Sequence, residues 1–345
     1  MRKGKLIAII LAVLVVVGGV TSYAFRGQLR AALDSISGVD YQGSGSGQVT
    51  LIVNAGDTGE DVARSLVREG VTKDFTFTYK RIIARNPNFV PGSFNLRKQM
   101  SADAALDLIA DPKSKLVTRV TIKEGLRIGT VLKQLSKASG LPLSDFESAV
   151  SDPTVYGLPS NIPNIDGYLF PATYELDPGV KAVDIIRNMV DRMNAELKKF
   201  GVSDANRHKV LTMASIIQKE ARLTPDFYKV SRVFSNRIEQ GMNLQSDATV
   251  SYGSGGTTVT TTDAERADGN GYNTYVHPGL PIGPIGAPGE TAIDAALHPV
   301  DGTWLYFCAV NLETGETVFS TTYAQHGKAV KQWQQWMRDN PGWNG

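Results

Sequence analysis

The chain has 345 residues, 36 basic and 34 acidic side chains, a net charge of +2 and 42% hydrophobic residues. This length allows more than one domain with its own core, and this hydrophobic content excludes general disorder. The balanced charge gives no basis for nucleic-acid binding. A single cysteine excludes an intrachain disulfide, and the four histidines lack zinc-ligand spacing, so neither a metal nor another cofactor is expected.

The N-terminus has the pattern of a membrane anchor. Three cations among the first five residues precede an uncharged apolar run from Leu6 to Phe25. Such a run rises about 30 Å as a helix, which is enough to cross the hydrocarbon core of a bilayer. The cations predict that residues 1–5 are cytoplasmic and that everything after residue 25 is extracytoplasmic. A cleaved signal peptide is the alternative, because Ser22 and Ala24 fit a small-x-small cleavage site.

Residues 26–48 are predicted to be a connector. Its last part, Tyr41 to Gln48, is rich in Gly and Ser and is predicted to be a flexible linker.

A weak internal repeat of strand, turn and helix follows in residues 49–142. When Gly56 is aligned with Gly125, the helical residues Val62 and Leu66 match Val131 and Leu135. The repeat predicts either a packing module or a small sugar-binding unit.

Residues 143–252 are predicted to be mainly helical. The most informative helix covers Lys209 to Arg222, where Met213, Ile216, Ile217 and Glu220 fall on one face. A carboxyl group on a core-facing stripe is poorly solvated, so its pKa rises and it suits a general acid. The alternative is a buried glutamate paired with an arginine such as Arg222 or Arg232.

The C-terminal third alternates loops with regular elements. Residues 253–271 are polar and predicted to form a mobile surface loop. Residues 277–289 contain eight Gly or Pro in thirteen positions, which excludes helix and strand and is typical of a stiff segment that walls a cleft. Residues 304–310 and 316–320 predict a hairpin, and residues 323–336 a final helix.

Three patches combine aromatic rings with hydroxyl and amide groups, at residues 166–175, 245–252 and 272–275. Such groups suit sugars, which have apolar faces and polar edges. Ordinary turn and core roles are the alternative for each patch. The side chains predicted to bind substrate are Tyr168, Gln245, Asp247, Tyr252, Asn273 and Tyr275.

The chain resembles the MltG (YceG-like) endolytic murein transglycosylases. The resemblance rests on Asp166–Tyr174, Ala214–Ala221, Leu244–Tyr252, Tyr272–Tyr275, Gly279–Gly289, Ala295–Pro299 and Tyr306–Phe307. It covers nearly everything from the anchor to about residue 330. The fold that it implies is α+β, with an N-terminal transmembrane helix, a small LysM-like strand–helix module and a mixed, mainly helical catalytic domain with a C-terminal β-hairpin. The peptidoglycan-binding module is assigned to residues 49–142 and the catalytic domain to residues 143–345.

The resemblance implies cleavage of nascent glycan strands between N-acetylmuramic acid and N-acetylglucosamine, which leaves 1,6-anhydromuramyl ends and limits strand length. The family's catalytic glutamate maps onto Glu220. The implied partners are peptidoglycan strands, the cell membrane and peptidoglycan synthases (penicillin-binding proteins).

Two other functions remain open at this point. One is a non-catalytic peptidoglycan-binding scaffold, and the other is a hydrolase that uses Glu220 with Asp247 as the second carboxylate.

The chain departs from the family pattern at four positions. Gln218 and Asp166 stand where relatives often have Glu, while Ile282 and Ala287 interrupt the usual Pro and Asn of the Gly-Pro segment. A charged role at position 218 is therefore not expected.

Overall fold

The computed structural model describes residues 38–343 except 55, 178 and 257–260. The predicted anchor at residues 6–25 lies outside the described residues. Within the described ranges, no helix is long and apolar enough to cross a membrane. The chain divides between Thr118 and Arg119 into two compact units.

The first unit combines a three-stranded antiparallel sheet with helices, and the strand order is β1-β2-β3. The strands are β1 (Ser44–Val53), β2 (Gly92–Met100) and β3 (Lys115–Leu116). The helices are α1 (Gly59–Arg68), α2 (Phe75–Arg85) and α3 (Ala102–Ala110). In β2, buried Phe94 and Leu96 alternate with exposed Asn95 and Arg97, and this period of two places one face of the strand in the core.

The Gly/Ser stretch before residue 49 is not a free linker in the structure. β1 begins at Ser44, which pairs with Met100, and Ser46 pairs with Lys98. A Cβ at Gly45 would lie 2.3 Å from the Lys98 carbonyl oxygen. Glycine is therefore needed here for close backbone approach, and its presence does not indicate flexibility.

The second unit contains two small sheets and the remaining helices. β4 (Thr118–Thr121) pairs with β5 (Thr173–Leu176), and β6 (Tyr306–Asn311) forms an antiparallel hairpin with β7 (Glu316–Ser320). Cys308 lies half-buried and unpaired in β6. The helices are α4 (Ile128–Ser139), α5 (Leu143–Ala149), α6 (Ala182–Lys199), α7 (Asp204–Glu220), α8 (Thr224–Glu239), α9 (Asp247–Gly253), α10 (Asp263–Ala267), α11 (Glu290–Leu297) and α12 (Tyr323–Asp339).

The two halves of the predicted repeat have the expected local structure. Gly56 and Gly125 both adopt positive φ, and the matched helical residues are buried in both copies. Val131 and Leu135, however, pack in the core of the second unit. The observed division at 118/119 thus differs from the predicted boundary at 142, and the LysM-like assignment stays a prediction.

The core of the second unit explains where α7 lies. The buried apolar side chains of α6, between Ala182 and Leu197, form one cluster with Leu211, Ile216 and Ile217 of α7. α7 packs against α8 and α11. Ile238 of α8 lies outside this cluster and is 37% exposed.

The mixed α+β class, the hairpin and the final helix are confirmed in the described residues. The segment 277–289 has neither helix nor strand, as expected. The predicted loop at 253–271 contains α10, which begins with a capping box between Thr262 and Glu265.

Candidate active site

Glu220 is the last residue of α7. The next residue, Ala221, has an extended backbone, and its amide donates to the carbonyl oxygen of Ile217. Buried Ile216 and Ile217 anchor the preceding turn in the core. The glutamate is thus held by a rigid helix end, and the helix ends two residues before the predicted Arg222.

The carboxyl group of Glu220 is enclosed although the residue as a whole is half-buried. The Oγ hydroxyl of Ser246 donates a hydrogen bond to its Oε1 at 2.5 Å. Burial raises the pKa of Glu220, and the charge of Asp247 raises it further; the Ser246 bond and the charge of Arg237 lower it. The net effect is a raised pKa. Because Ser246 donates to Oε1, a proton on the acid is best held by Oε2.

No described arginine forms an ion pair with Glu220. Arg222 donates to the carbonyl oxygen of Leu312, and Arg232 donates to the carbonyl oxygens of Pro299 and Val300. The paired-glutamate alternative therefore does not hold for these two arginines.

Arg237 places a positive charge in the cavity, and backbone carbonyl groups hold its guanidinium there. Its guanidinium donates to the carbonyl oxygens of Leu305 at 2.7 Å and Leu244 at 2.8 Å, and it lies 5.3 Å from the ring centre of Tyr306. Arg237 is thus fixed in place by other groups while its charge acts on Glu220.

Glu220 opens into a cavity of about 330 Å³ within the second unit. Its walls come from the end of α7, from α8, from the segment before and at the start of α9, from the β6 strand and from the start of α12. The other lining residues are Phe234, Arg237, Leu244, Gln245, Ser246, Asp247, Tyr275, Tyr306, Phe307, Tyr323 and His326. The cavity walls thus combine aromatic rings with hydrogen-bonding groups, a combination that suits a sugar.

Asp247 is held by donors from three residues. Its Oδ1 accepts hydrogen bonds from the hydroxyls of Thr261 at 2.6 Å and Tyr275 at 2.9 Å, and Arg266 donates to both carboxylate oxygens. Burial raises the pKa of Tyr275 to about 12, so its phenol remains a donor. These bonds occupy the carboxylate and fix it as a negative charge facing the Glu220 site.

The backbone turns at Gln245, and this turn directs the Ser246 side chain toward Glu220. Its φ is +52°, which is uncommon for a residue other than glycine and costs on the order of 1 kcal/mol. The loop around Thr274 stabilises this conformation, because the Gln245 amide donates to the Thr274 carbonyl oxygen at 3.1 Å and the Ser246 amide to Thr274 Oγ1 at 3.0 Å.

The chain matches a known protein family. The sequence profile of the YceG-like family matches residues 51–332, which is most of the chain. The chain belongs to the YceG-like family. The resemblance deduced from the sequence motifs is thereby confirmed.

Curated relatives of this YceG-like chain carry the name endolytic murein transglycosylase. The one from Bacillus subtilis is 30% identical over 309 residues, which are 83% of this chain and 84% of the relative. One from Streptococcus pneumoniae is 24% identical over 336 residues, which are 87% of this chain but 60% of the relative. A crystal structure of a YceG-like protein from Listeria monocytogenes is 30% identical, with a TM-score of 0.55 over 82% of this chain and 99% of that one.

Three of the six predicted substrate-binding residues of this YceG-like chain line the Glu220 cavity: Gln245, Asp247 and Tyr275. The other three do not. Tyr168 is 1% exposed and its hydroxyl bonds with His208 Nδ1 at 2.9 Å. Asn273 is fully buried, and its side-chain amide donates to three backbone carbonyl oxygens of residues 265–268.

Tyr252 belongs to a separate buried cluster around Asp166. Its hydroxyl donates to Asp166 Oδ2 at 3.1 Å, and the same oxygen accepts the amide of Ile128 at 3.1 Å. Asp166 is 2% exposed, and burial raises its pKa to about 6 although these hydrogen bonds act to lower it. This carboxyl therefore fixes the first turn of α4, whose own N-cap residue makes no side-chain cap bond.

The Gly-Pro segment does not wall the Glu220 cavity, contrary to expectation. It is fastened to α7 instead, because the amide of Ile285 donates to Ser215 Oγ at 3.0 Å and the amide of Gly289 donates to Gln218 Oε1 at 2.9 Å. Gln218 needs only an uncharged acceptor for this contact, which accounts for an amide at that position.

Sequence reasoning did not identify several cavity residues. Ser246 lies inside a motif that carries the family resemblance, but nothing in the local pattern indicated its bond to Glu220. Arg237, Tyr306, Tyr323 and His326 reach the cavity only through contacts between distant segments, and no short-range pattern encodes these.

Proposed function

We propose that this chain is a membrane-anchored endolytic transglycosylase that cleaves peptidoglycan glycan strands between N-acetylmuramic acid and N-acetylglucosamine. The observation that carries the proposal is a carboxyl group with a raised pKa at the wall of a cavity rich in aromatic and hydrogen-bonding groups. Relatives named endolytic murein transglycosylase support it.

Glu220 serves in turn as acid and base. Its proton passes to the glycosidic oxygen, and the bond from that oxygen to C1 of the muramyl residue breaks. The carboxylate then accepts the proton of the muramyl C6 hydroxyl as the C6 oxygen attacks C1. The products are a free hydroxyl on the leaving sugar and a 1,6-anhydromuramyl end, with no water consumed.

A single free carboxyl is sufficient for this reaction, since the substrate supplies its own nucleophile. A hydrolase would need a second carboxylate to activate water or to attack C1. Asp247 is the candidate for that role, but donors from Thr261, Tyr275 and Arg266 already occupy it. The transglycosylase is therefore the better-supported reaction.

The N-terminal apolar run supports anchoring of this enzyme in the plasma membrane. Residues 6–25 would form a single transmembrane helix with the tail 1–5 in the cytoplasm and the later residues outside. Residues 49–142, in this proposal, contribute a LysM-like module that binds peptidoglycan. The position outside the membrane would bring the enzyme next to penicillin-binding proteins, the synthases that produce its substrate.

The products of the reaction test the proposal. Incubation of the full chain with uncross-linked glycan strands is expected to give fragments with anhydromuramyl ends, read by mass spectrometry. Fragments heavier by one water would indicate a hydrolase. Binding without cleavage would indicate the scaffold, the second candidate function.

Asp247 is expected to set the upper pH limit of activity. The Asp247→Asn variant loses a negative charge that raises the pKa of Glu220, so the acid loses its proton at lower pH. The alkaline limb of the kcat profile should then move to lower pH, with a several-fold loss of rate relative to the wild type at a pH on that limb. Asp263→Asn is the matched control, because Asp263 is fully exposed and only 4.0 Å from the same Arg266. An unchanged alkaline limb in Asp247→Asn would show that this charge does not act on the acid.

A further inference from the structure

The first turn of α12 forms one wall of the Glu220 cavity. The proposed reaction gives the side chains of this turn no role. Tyr323 is the first residue of α12, and His326 follows one turn later on the same face. Both line the cavity that contains Glu220. Tyr323 is 74% exposed, so most of its ring is accessible to a ligand in the cavity.

Local contacts hold this turn in place. Thr322 and Gln325 form a capping box at the start of α12. The Tyr306 ring from β6 lies 5.3 Å from the His326 ring with a 21° interplanar angle, and 5.9 Å from the Tyr323 ring. The two side chains are therefore positioned before any ligand binds, which reduces the entropic cost of binding.

The surroundings of His326 determine which ring nitrogen carries the proton. Nδ1 is buried and has no hydrogen-bond partner in the described part of the chain, whereas Nε2 is not enclosed in this way. Burial lowers the pKa of His326, and the positive charge of Arg237 lowers it further, so the ring is neutral. A proton on Nδ1 would be a buried donor without an acceptor, whereas a proton on Nε2 can be donated to solvent or to a ligand. The neutral ring therefore carries its proton on Nε2, where it can donate to a ligand.

We propose that Tyr323 and His326 form a sugar-binding subsite of the Glu220 cavity. The Tyr323 ring covers the apolar face of an N-acetylated hexose, and His326 Nε2–H donates to a hydroxyl or acetamido oxygen of the same strand. The subsite rests on the proposed function, since it takes the glycan strand that Glu220 cleaves. It assigns to the C-terminal helix a direct part in substrate binding.

Binding of uncleaved glycan strands tests the subsite. The full chain with Glu220→Gln is used as the background, so that no cleavage occurs during the titration. Adding Tyr323→Ala is expected to weaken binding about tenfold, while Tyr323→Phe, which keeps the ring, stays within about twofold. Adding His326→Phe keeps the stacking on Tyr306 but removes the donor, and is expected to weaken binding about fivefold.

Gln332→Ala is the matched control, because Gln332 is an exposed residue of the same helix outside the cavity lining. In the chain with Glu220 intact, the subsite variants should raise KM more than they lower kcat. If His326→Phe lowers the melting temperature, the comparison of Tyr323→Ala with Tyr323→Phe tests the subsite alone, because Tyr323 is highly exposed and its substitution should not affect folding.

The outcomes separate this inference from the proposed function. Unchanged glycan affinity in both Tyr323→Ala and His326→Phe overturns the subsite, even if the wild-type chain makes anhydromuramyl ends. A wild-type chain that neither binds nor cleaves glycan overturns the proposed function and the subsite with it.

Discussion

Glu220→Gln is expected to reduce the rate of glycan cleavage by at least about a hundredfold, the usual size of an acid–base contribution. The amide has nearly the same shape as the carboxyl, and its carbonyl oxygen can still accept the hydrogen bond that Ser246 donates to Oε1. It has no acidic proton to give to the glycosidic oxygen and cannot take one from the C6 hydroxyl. Release of anhydromuramyl ends per unit time is the measurement.

The folded state of this variant is expected to be at least as stable as the wild type. Removing a buried carboxyl whose pKa is raised removes the cost of ionising it at neutral pH. Glu313→Gln, at an exposed turn residue of the β6–β7 hairpin, is the control and should retain full activity. A Glu220→Gln variant with normal melting and a rate within tenfold of the wild type would mean that another group supplies the proton.

Asp166 is expected to make the stability of the second unit depend on pH. Its pKa is raised to about 6 in the folded chain, against an ordinary value of 3.8. The folded state therefore holds a proton that the unfolded chain has lost between these values, so stability falls as pH rises through this window. The loss approaches about 3 kcal/mol and is complete above about pH 7.

The comparison of Asp166→Asn with the wild type isolates this effect from other titrating groups. The variant cannot ionise at this position, so its free energy of unfolding should lack this component of the decrease between about pH 4 and about pH 7. It should be less stable than the wild type at the acid end by about 1 kcal/mol, because its amide cannot accept every bond that Asp166 accepts from Ile128, Gly167 and Tyr252. Denaturant unfolding at each pH measures both quantities. Parallel pH profiles for the two proteins would show that folding does not raise the pKa of Asp166.

Local patterns predicted those parts of the fold that local physics determines. The stripe of Met213, Ile216 and Ile217 is buried, as the helical period requires. The Gly-Pro segment lacks regular structure because proline and glycine disfavour it. β2 was missed, because the polar run Arg97 to Gln99 cuts short the alternation that Phe94 and Leu96 begin.

The candidate site could be predicted only in part. Periodicity pointed to Glu220 because a carboxyl among apolar residues is conspicuous in any sequence. Composition alone could not separate Tyr275, whose hydroxyl donates to Asp247 in the cavity, from Asn273, whose amide donates to backbone carbonyls five to eight residues earlier in the chain. The partner of Tyr275 lies in a segment distant in the chain, which no local pattern reveals.

Cys308 gives the chain a natural attachment point for a spectroscopic probe. It is the single thiol of the sequence, and its neighbours in β6, Tyr306 and Phe307, line the Glu220 cavity. A small fluorine-bearing reagent coupled to this thiol would give one nuclear magnetic resonance signal close to a bound glycan strand. No cysteine would need to be introduced. Because burial raises the pKa of this thiol, coupling will be slow at neutral pH and faster in mildly alkaline buffer.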